Sequence, residues 1–179
     1  MALWIDYTFV RGVYPISDTH GDNIDFNVFI QMAQYSDVQR LIGRELYNDI
    51  IADPTATTNG NYPKLLNGHS YTFDSKTYEQ PGLKTVTAWF ALARYAKNRN
   101  KQDTAFGFSR FEAEKIMSLS KGEADTDADD FRRFAQDYWN EVQFFLNSQQ
   151  NTTSAYTHWS SGDARTLSND GIEVEFDSF

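Results

Sequence analysis

Apolar residues recur at helical steps from Gly82 to Asn100, where Leu83, Val86, Trp89, Phe90, Ala93 and Ala96 form one stripe that Leu92 and Tyr95 widen. Lys84, Thr87, Ala91, Arg94 and Asn98 form the opposite, mostly polar face. Pro81 just before the run loses no internal hydrogen bond there, and Lys97 and Arg99 near its end suit the C-terminal pole of a helix dipole. The pattern predicts a central helix over about 82–100, with the rest of the chain packed round it. Its polar face faces solvent or, because Thr87 and Ala91 allow close approach, a neighbouring molecule.

Other stretches carry the same period. Phe26, Phe29, Ile30 and Ala33 mark one helical face, with Asn23 or Asp25 as its cap. The next position in phase is Asp37, and apolar residues resume at Val38, Leu41 and Ile42. Ser36 and Gln39 have capping-box spacing, so the pattern predicts a bend at Tyr35-Ser36 and a new short helix that Gly43 ends in a left-handed conformation. Leu46, Tyr47, Ile50 and Ile51 predict a further helix stopped before Pro54, and Tyr62, Leu65 and Leu66 a single turn beginning at Pro63. Phe131, Phe134, Ala135, Tyr138, Val142, Phe145 and Leu146 give a last long helix, with Thr126 and Asp129 at its expected start.

Period-two alternation appears at three places. Leu3, Ile5, Tyr7 and Phe9 alternate with Trp4, Asp6 and Thr8 and predict an extended N-terminal arm. Ser70 to Phe73 and Lys76 to Tyr78 flank Asp74-Ser75 and predict a small hairpin over about 70–78. Ile172, Val174 and Phe176 follow the turn signal Asn169-Asp170-Gly171 in a polar tail, where Tyr156 to Trp159 is a second apolar patch. Between Lys101 and Ser120 the period fails, and the segment reads as mostly irregular, with Ser109 and Glu112 able to cap a short helix over Ala113, Ile116 and Met117. The expectation is one mainly α domain: a small helical bundle over 23–148, an extended arm at 1–22 and a tail at 149–179.

Composition narrows the function. The 179 residues carry a formal net charge of -9 and no cysteine, so packing must supply the stability and phosphate backbones are not attracted. Neither a basic leader nor a run of about 18 apolar residues is present, so the chain reads as a soluble protein of a cytoplasm-like compartment with no membrane partner. Aromatics make up 16% of the residues, more than the helical stripes alone absorb, which points to core filling together with contact surfaces.

Catalytic chemistry finds no motif. Asp125, Asp127 and Asp129 start like a calcium loop, but Asp130 stands where that loop needs Gly and Gln136 where it needs Glu, so acids favoured near a helix start explain them better. His20, His69 and His158 fall in separate predicted loops without ligand spacing, and neither a nucleophile elbow nor a phosphate-binding glycine loop is present. The expectation is a non-enzymatic protein with no catalytic residue, metal site or cofactor.

Taken in order, FIQMAQYSDVQRLIGRELYNDII, NYPKLLNG, YEQPGLKTVTAWFALARYAKN, DTAFGFSR and FRRFAQDYWNEVQFFLN resemble head-tail connector (adaptor) proteins of tailed bacteriophages. The resemblance is closest to connectors of phages of Bacteroidetes-type hosts, including the ring proteins of crAss-like phages. It rests on Ala33-Gln34, Leu41-Ile42-Gly43 with Leu46-Tyr47, the Tyr62 to Leu66 turn, the alanine- and aromatic-rich helix, and Thr104 with Phe106-Gly107. It implies a virion protein of the portal and neck region, assembled in the host bacterial cytoplasm. Copies would form a dodecameric ring under the portal protein, extend the channel for passing DNA without binding it specifically, and dock a tail protein or a second ring protein.

A closed ring needs two different adhesive faces on each subunit. Leu3, Ile5, Tyr7, Phe9, Arg94, Tyr156, Trp159, Ile172, Val174 and Phe176 are the candidate subunit or partner contacts. A soluble helical binding or regulatory module without a virion role is the alternative, and a hydrolase with unrecognised carboxylate chemistry is a third reading.

Overall fold

A computed structural model describes residues 3–16, 26–52, 60–98, 101–104, 107–110, 121–149, 156, 158 and 159; of 101–104, 107–110 and 121–124 it describes the backbone alone. Helix α1 (Tyr7–Val13) is followed by α2 (Phe26–Met32), which runs through a π-helical segment (Ala33–Val38) into α3 (Gln39–Ile42). Then come α4 (Arg44–Ala52), α5 (Tyr62–Asn67), the hairpin β1 (His69–Phe73) and β2 (Lys76–Gln80), and α6 (Leu83–Asn98). A second antiparallel hairpin, β3 (Lys101–Thr104) and β4 (Gly107–Arg110), precedes α7 (Lys121–Gln149). The fold is mainly helical with small antiparallel hairpins, as the periodicities require.

Helix α6 is the central element. On one side it packs along α7, where Trp89 meets Phe131, Phe134 and Tyr138 at ring-centroid distances of 5.8, 5.2 and 6.2 Å. On the other it receives α1, α2 and the π segment, with Tyr95 set 5.2 Å from Phe26 and 5.8 Å from Phe29. A helix flanked on both sides must bury nearly its whole circumference. Leu83, Val86, Thr87, Ala88, Phe90, Ala91, Leu92, Ala93, Tyr95 and Ala96 are accordingly all buried.

The first hairpin lies along the C-terminal half of α7. Asp74 and Ser75 both have positive φ, 49° and 61°, the geometry of a two-residue turn whose twist matches the strands. Tyr71 pairs with Tyr78, and this face meets Phe145 through Tyr71 at 4.9 Å and Phe144 through Tyr78 at 5.3 Å. Burial, with the charge of Glu141 assisting, pushes the Tyr71 hydroxyl up to about 12. A lone hairpin is marginal in water, and α7 supplies the surface this one needs.

A glycine junction fixes the hairpin to both neighbouring helices. Gly68 ends α5 and Gly82 precedes α6, with φ of 82° and 85°, and the two backbones lie against each other. A Cβ on Gly68 would meet Gln80 O at 2.6 Å, and one on Gly82 would meet Leu66 O at 2.5 Å. Buried Gln80 clips the junction: its Nε2 donates to Lys64 O at 2.6 Å and its Oε1 accepts the Gly82 N–H at 2.8 Å. The same amide lies 3.2 Å from His69 Nδ1, a contact that asks for a neutral, accepting imidazole. Burial, and then the charge of Lys64, lower the His69 pKa accordingly.

Four expectations require correction. The N-terminal alternation does not give a continuous extended arm: Asp6 accepts the Phe9 N–H at 2.8 Å and starts α1, which carries Tyr7 and Phe9. No new helix begins at Ser36, because the backbone continues through the π segment, its wider turn holding Ala33, Gln34, Asp37 and Val38 all inward. The Lys101 to Ser120 stretch contains the second hairpin rather than irregular chain up to Arg110, while the helix expected over Ala113, Ile116 and Met117 lies outside the described residues. Thr126 and Asp129 do not start the last helix, since α7 begins at Lys121.

The junction generates a graded test. Gly82→Ala combines positive φ with a backbone clash and is expected to lower stability by about 3 kcal/mol. Gly43→Ala has the same φ of 82° but nothing within 4 Å of the new methyl, and should cost about 1 kcal/mol. Denaturant unfolding of the two variants beside the parent chain measures the difference.

Candidate interaction surfaces

The expected polar face of α6 turns out to be an internal site. Trp4 inserts its indole against Thr87, donating from Nε1 to Oγ1 at 2.9 Å, and Thr87 donates in turn to Leu83 O at 2.7 Å. The Trp4 N–H donates to Gln34 Oε1 at 3.2 Å, while Gln34 Nε2 donates to the Tyr47 hydroxyl at 3.3 Å. Trp4 also meets the Tyr47 ring edge-on at 5.6 Å. Burial raises the Tyr47 pKa, outweighing the hydrogen bond from Gln34, so the phenol stays protonated.

About two helical turns further along, Arg94 grips Asp37 of the π segment bidentately, Nε to Oδ2 at 2.6 Å and Nη2 to Oδ1 at 2.8 Å. The side chains are 21% and 9% exposed, so this is a largely desolvated fork pair. Asp37 is the position where the apolar stripe failed. Its carboxylate points into the core because a guanidinium waits there.

These contacts redistribute the sequence candidates. Arg94 pairs with Asp37 within this chain. Tyr156 and Trp159 are likewise buried in this chain's own core, against Phe145 and Trp139. Ile5 is buried, and Leu3 and Tyr7 pack on the core, leaving Phe9 as the exposed member of the N-terminal set. Ile172, Val174 and Phe176 lie outside the described residues.

The exposed large apolar residues lie elsewhere and fall into three patches among the described residues. Val28, Met32 and Tyr35, the last 57% exposed, share the outer face of α2 and the π segment at four- and three-residue steps. Tyr14, Phe134 and Tyr138 ring the half-buried Trp89 and Phe131. Phe73 and Phe144 meet at 5.8 Å where the hairpin tip overlies α7. Helical period alone could not separate Phe134 and Tyr138 from the core positions of α7, because they lie on its flank; the sequence signal for the first patch was an apolar residue on the nominally polar face.

Among the described residues no group of three or more His, Asp or Glu side chains converges as a metal site. His69 sits in the glycine junction and His158 pairs with Asp49, so two of the three histidines have a conformational role.

The fold and surfaces define a class: a mainly helical domain with a hairpin clasped to its longest helix and apolar patches on separate faces. Residues 38–168 match the model of a Family of unknown function (DUF6712), and the chain belongs to that family. Neither the curated proteins nor the solved structures give a match.

The buried pair invites a double-mutant test. Asp37→Ala strands the guanidinium in a dry site and is expected to cost about 3 kcal/mol. Combining Asp37→Leu with Arg94→Met should cost less than either single change, because no charge is then left alone. Equilibrium unfolding of the singles and the double checks both statements.

Proposed function

We propose that this chain is a virion structural protein, a head-tail adaptor whose copies form a ring under the portal, extend the DNA channel and dock tail components. The resemblance set out above suggests the role, and the three exposed apolar patches are the observation that carries it. A ring subunit must offer one face to the next copy and a different face to receive it, while a third serves the portal or the tail. The α2 patch lies on the N-terminal layer and the Trp89 patch where α6, the last helix and Tyr14 meet, so the two are built from different elements and suit different neighbours. Aromatic and methionine side chains are what stable interface centres are rich in.

The charge fits the same role. A channel lined by copies of a chain with formal net charge of -9 repels phosphate rather than gripping it, so a duplex can slide. No site for a cofactor enters this reading, and no helix among the described residues is long and apolar enough to cross a membrane.

Co-assembly is the test. Purified chain mixed with portal rings should co-sediment and add a ring of density under the portal in electron micrographs. Tyr35→Glu should leave the melting temperature within a few degrees of the parent and abolish ring addition, since exposed-surface changes are worth about 0.5 kcal/mol or less in the monomer. A portal that never recruits the chain, together with virions that lack it, overturns the proposal.

A further inference from the structure

Helix α7 carries a stripe of aromatic and acidic residues on its outer side. Phe134, Asp137, Tyr138 and Glu141 are all exposed, and their three- and four-residue steps place them within about a third of the helix circumference. Trp89 backs the two rings, with its centroid 5.2 Å from Phe134 and its plane within 10° of Tyr138. Both rings are thus held in place before a partner arrives, which lowers the ordering cost of binding. From Phe134 to Gln149 the helix holds these two acids and no base, while Asp130, one turn earlier, is matched by Arg133 at 3.1 Å.

The opposite combination occurs on α2 and the segments that follow it. Val28, Met32 and Tyr35 are exposed along one face, and Arg40 and Arg44 are exposed beyond its C-terminal end. The single acid between Phe26 and Arg44 is Asp37, which is buried and gripped by Arg94. This surface therefore offers apolar groups with positive charge, and the α7 stripe offers aromatic groups with negative charge. Val28 to Tyr35 and Phe134 to Glu141 are also matched in length, each about 10 Å along its helix.

We propose that the α7 stripe of one copy receives the α2 surface of a second copy in a head-to-tail contact, with Arg40 and Arg44 turned toward Asp137 and Glu141. The inference rests on the ring reading above, from which it takes that copies of the chain meet, and it names the two faces that meet. Two α7 stripes placed together would set Asp137 and Glu141 against the same acids, and two α2 surfaces would bring arginines together with no acid between them. Like charges brought together across an interface are costly, so both symmetric pairings are disfavoured. Unlike faces match charge with charge, and a guanidinium is suited both to carboxylates and to the faces of aromatic rings. An unlike pairing also leaves one face of each copy open for the next, which is what a ring requires.

The chain has no cysteine, so introduced cysteines report the contact without background. Gln31→Cys and Asn140→Cys lie at exposed positions beside the two surfaces, and Glu79→Cys, exposed on the first hairpin, is the control. Full-length single-cysteine chains are mixed at about 1 mM, the local concentration that a shared platform imposes, and treated briefly with a short bismaleimide. The mixed product of the Gln31→Cys and Asn140→Cys chains should exceed each like-with-like product, and the product of Gln31→Cys with Glu79→Cys, by about tenfold. Adding Asp137→Lys and Glu141→Lys to the Asn140→Cys chain should lower the mixed product to the control yield while the melting temperature stays within a few degrees. A mixed yield no higher than the control, a like-with-like product in excess, or a yield unmoved by the charge reversal overturns the proposal. Portal recruitment is scored separately: recruitment without this cross-link sinks the contact alone, and the cross-link without recruitment sinks the adaptor role alone.

Discussion

The architecture depends on a helix that is buried nearly all round while still carrying polar side chains. Helix α6 has α7 on one flank and the N-terminal layer on the other, so Thr87 and Arg94 cannot rely on water. Each is met by a group from far away in sequence, Thr87 by the Trp4 indole and Arg94 by the Asp37 carboxylate. Burial of unmatched polar groups is costly, so these two partnerships fix where the N-terminal segment and the π segment sit. The π segment follows from the same demand: its broad turn brings Gln34 and Asp37 onto the face that also carries Ala33 and Val38.

Aromatic residues are divided between two tasks. Phe26, Phe90, Trp139, Phe145, Tyr156 and Trp159 are buried in the core. Phe134, Tyr138, Phe73, Phe144 and Tyr35 stay exposed, on faces that nothing else in the described chain covers. Scattered surface hydrophobics need no explanation, but grouped aromatics beside a half-buried tryptophan do. This division is consistent with the proposed assembly role.

Legibility followed the range of the interaction that decides each element. The hairpin was readable because Asp74-Ser75 can adopt the turn locally, and α4, α5 and α6 because their stripes and stop signals lie within a few residues. The break read at Tyr35-Ser36 was an error of a definite kind. A carboxylate in a hydrophobic register looks like an interruption unless its partner, 57 residues away, is known. The polar face of α6 was misassigned for the same reason, and Tyr156 and Trp159 looked like tail residues because the surface they seat on is assembled from α7 and the segment near Asn61. The second hairpin escaped because the four-residue strands at Lys101–Thr104 and Gly107–Arg110 are too short for alternation to stand out.

By itself, then, the sequence determined the helical class, the central helix, the first hairpin and the absence of a motif for metal or nucleophilic chemistry, all properties carried by local periodicity and short-range spacing. Only the tertiary structure decided which polar residues face inward, which aromatics remain outside, and that Tyr156 and Trp159 seat in the core. Those outcomes depend on pairs such as Trp4 with Thr87 and Asp37 with Arg94, whose members are distant along the chain and meet only once the helices are packed.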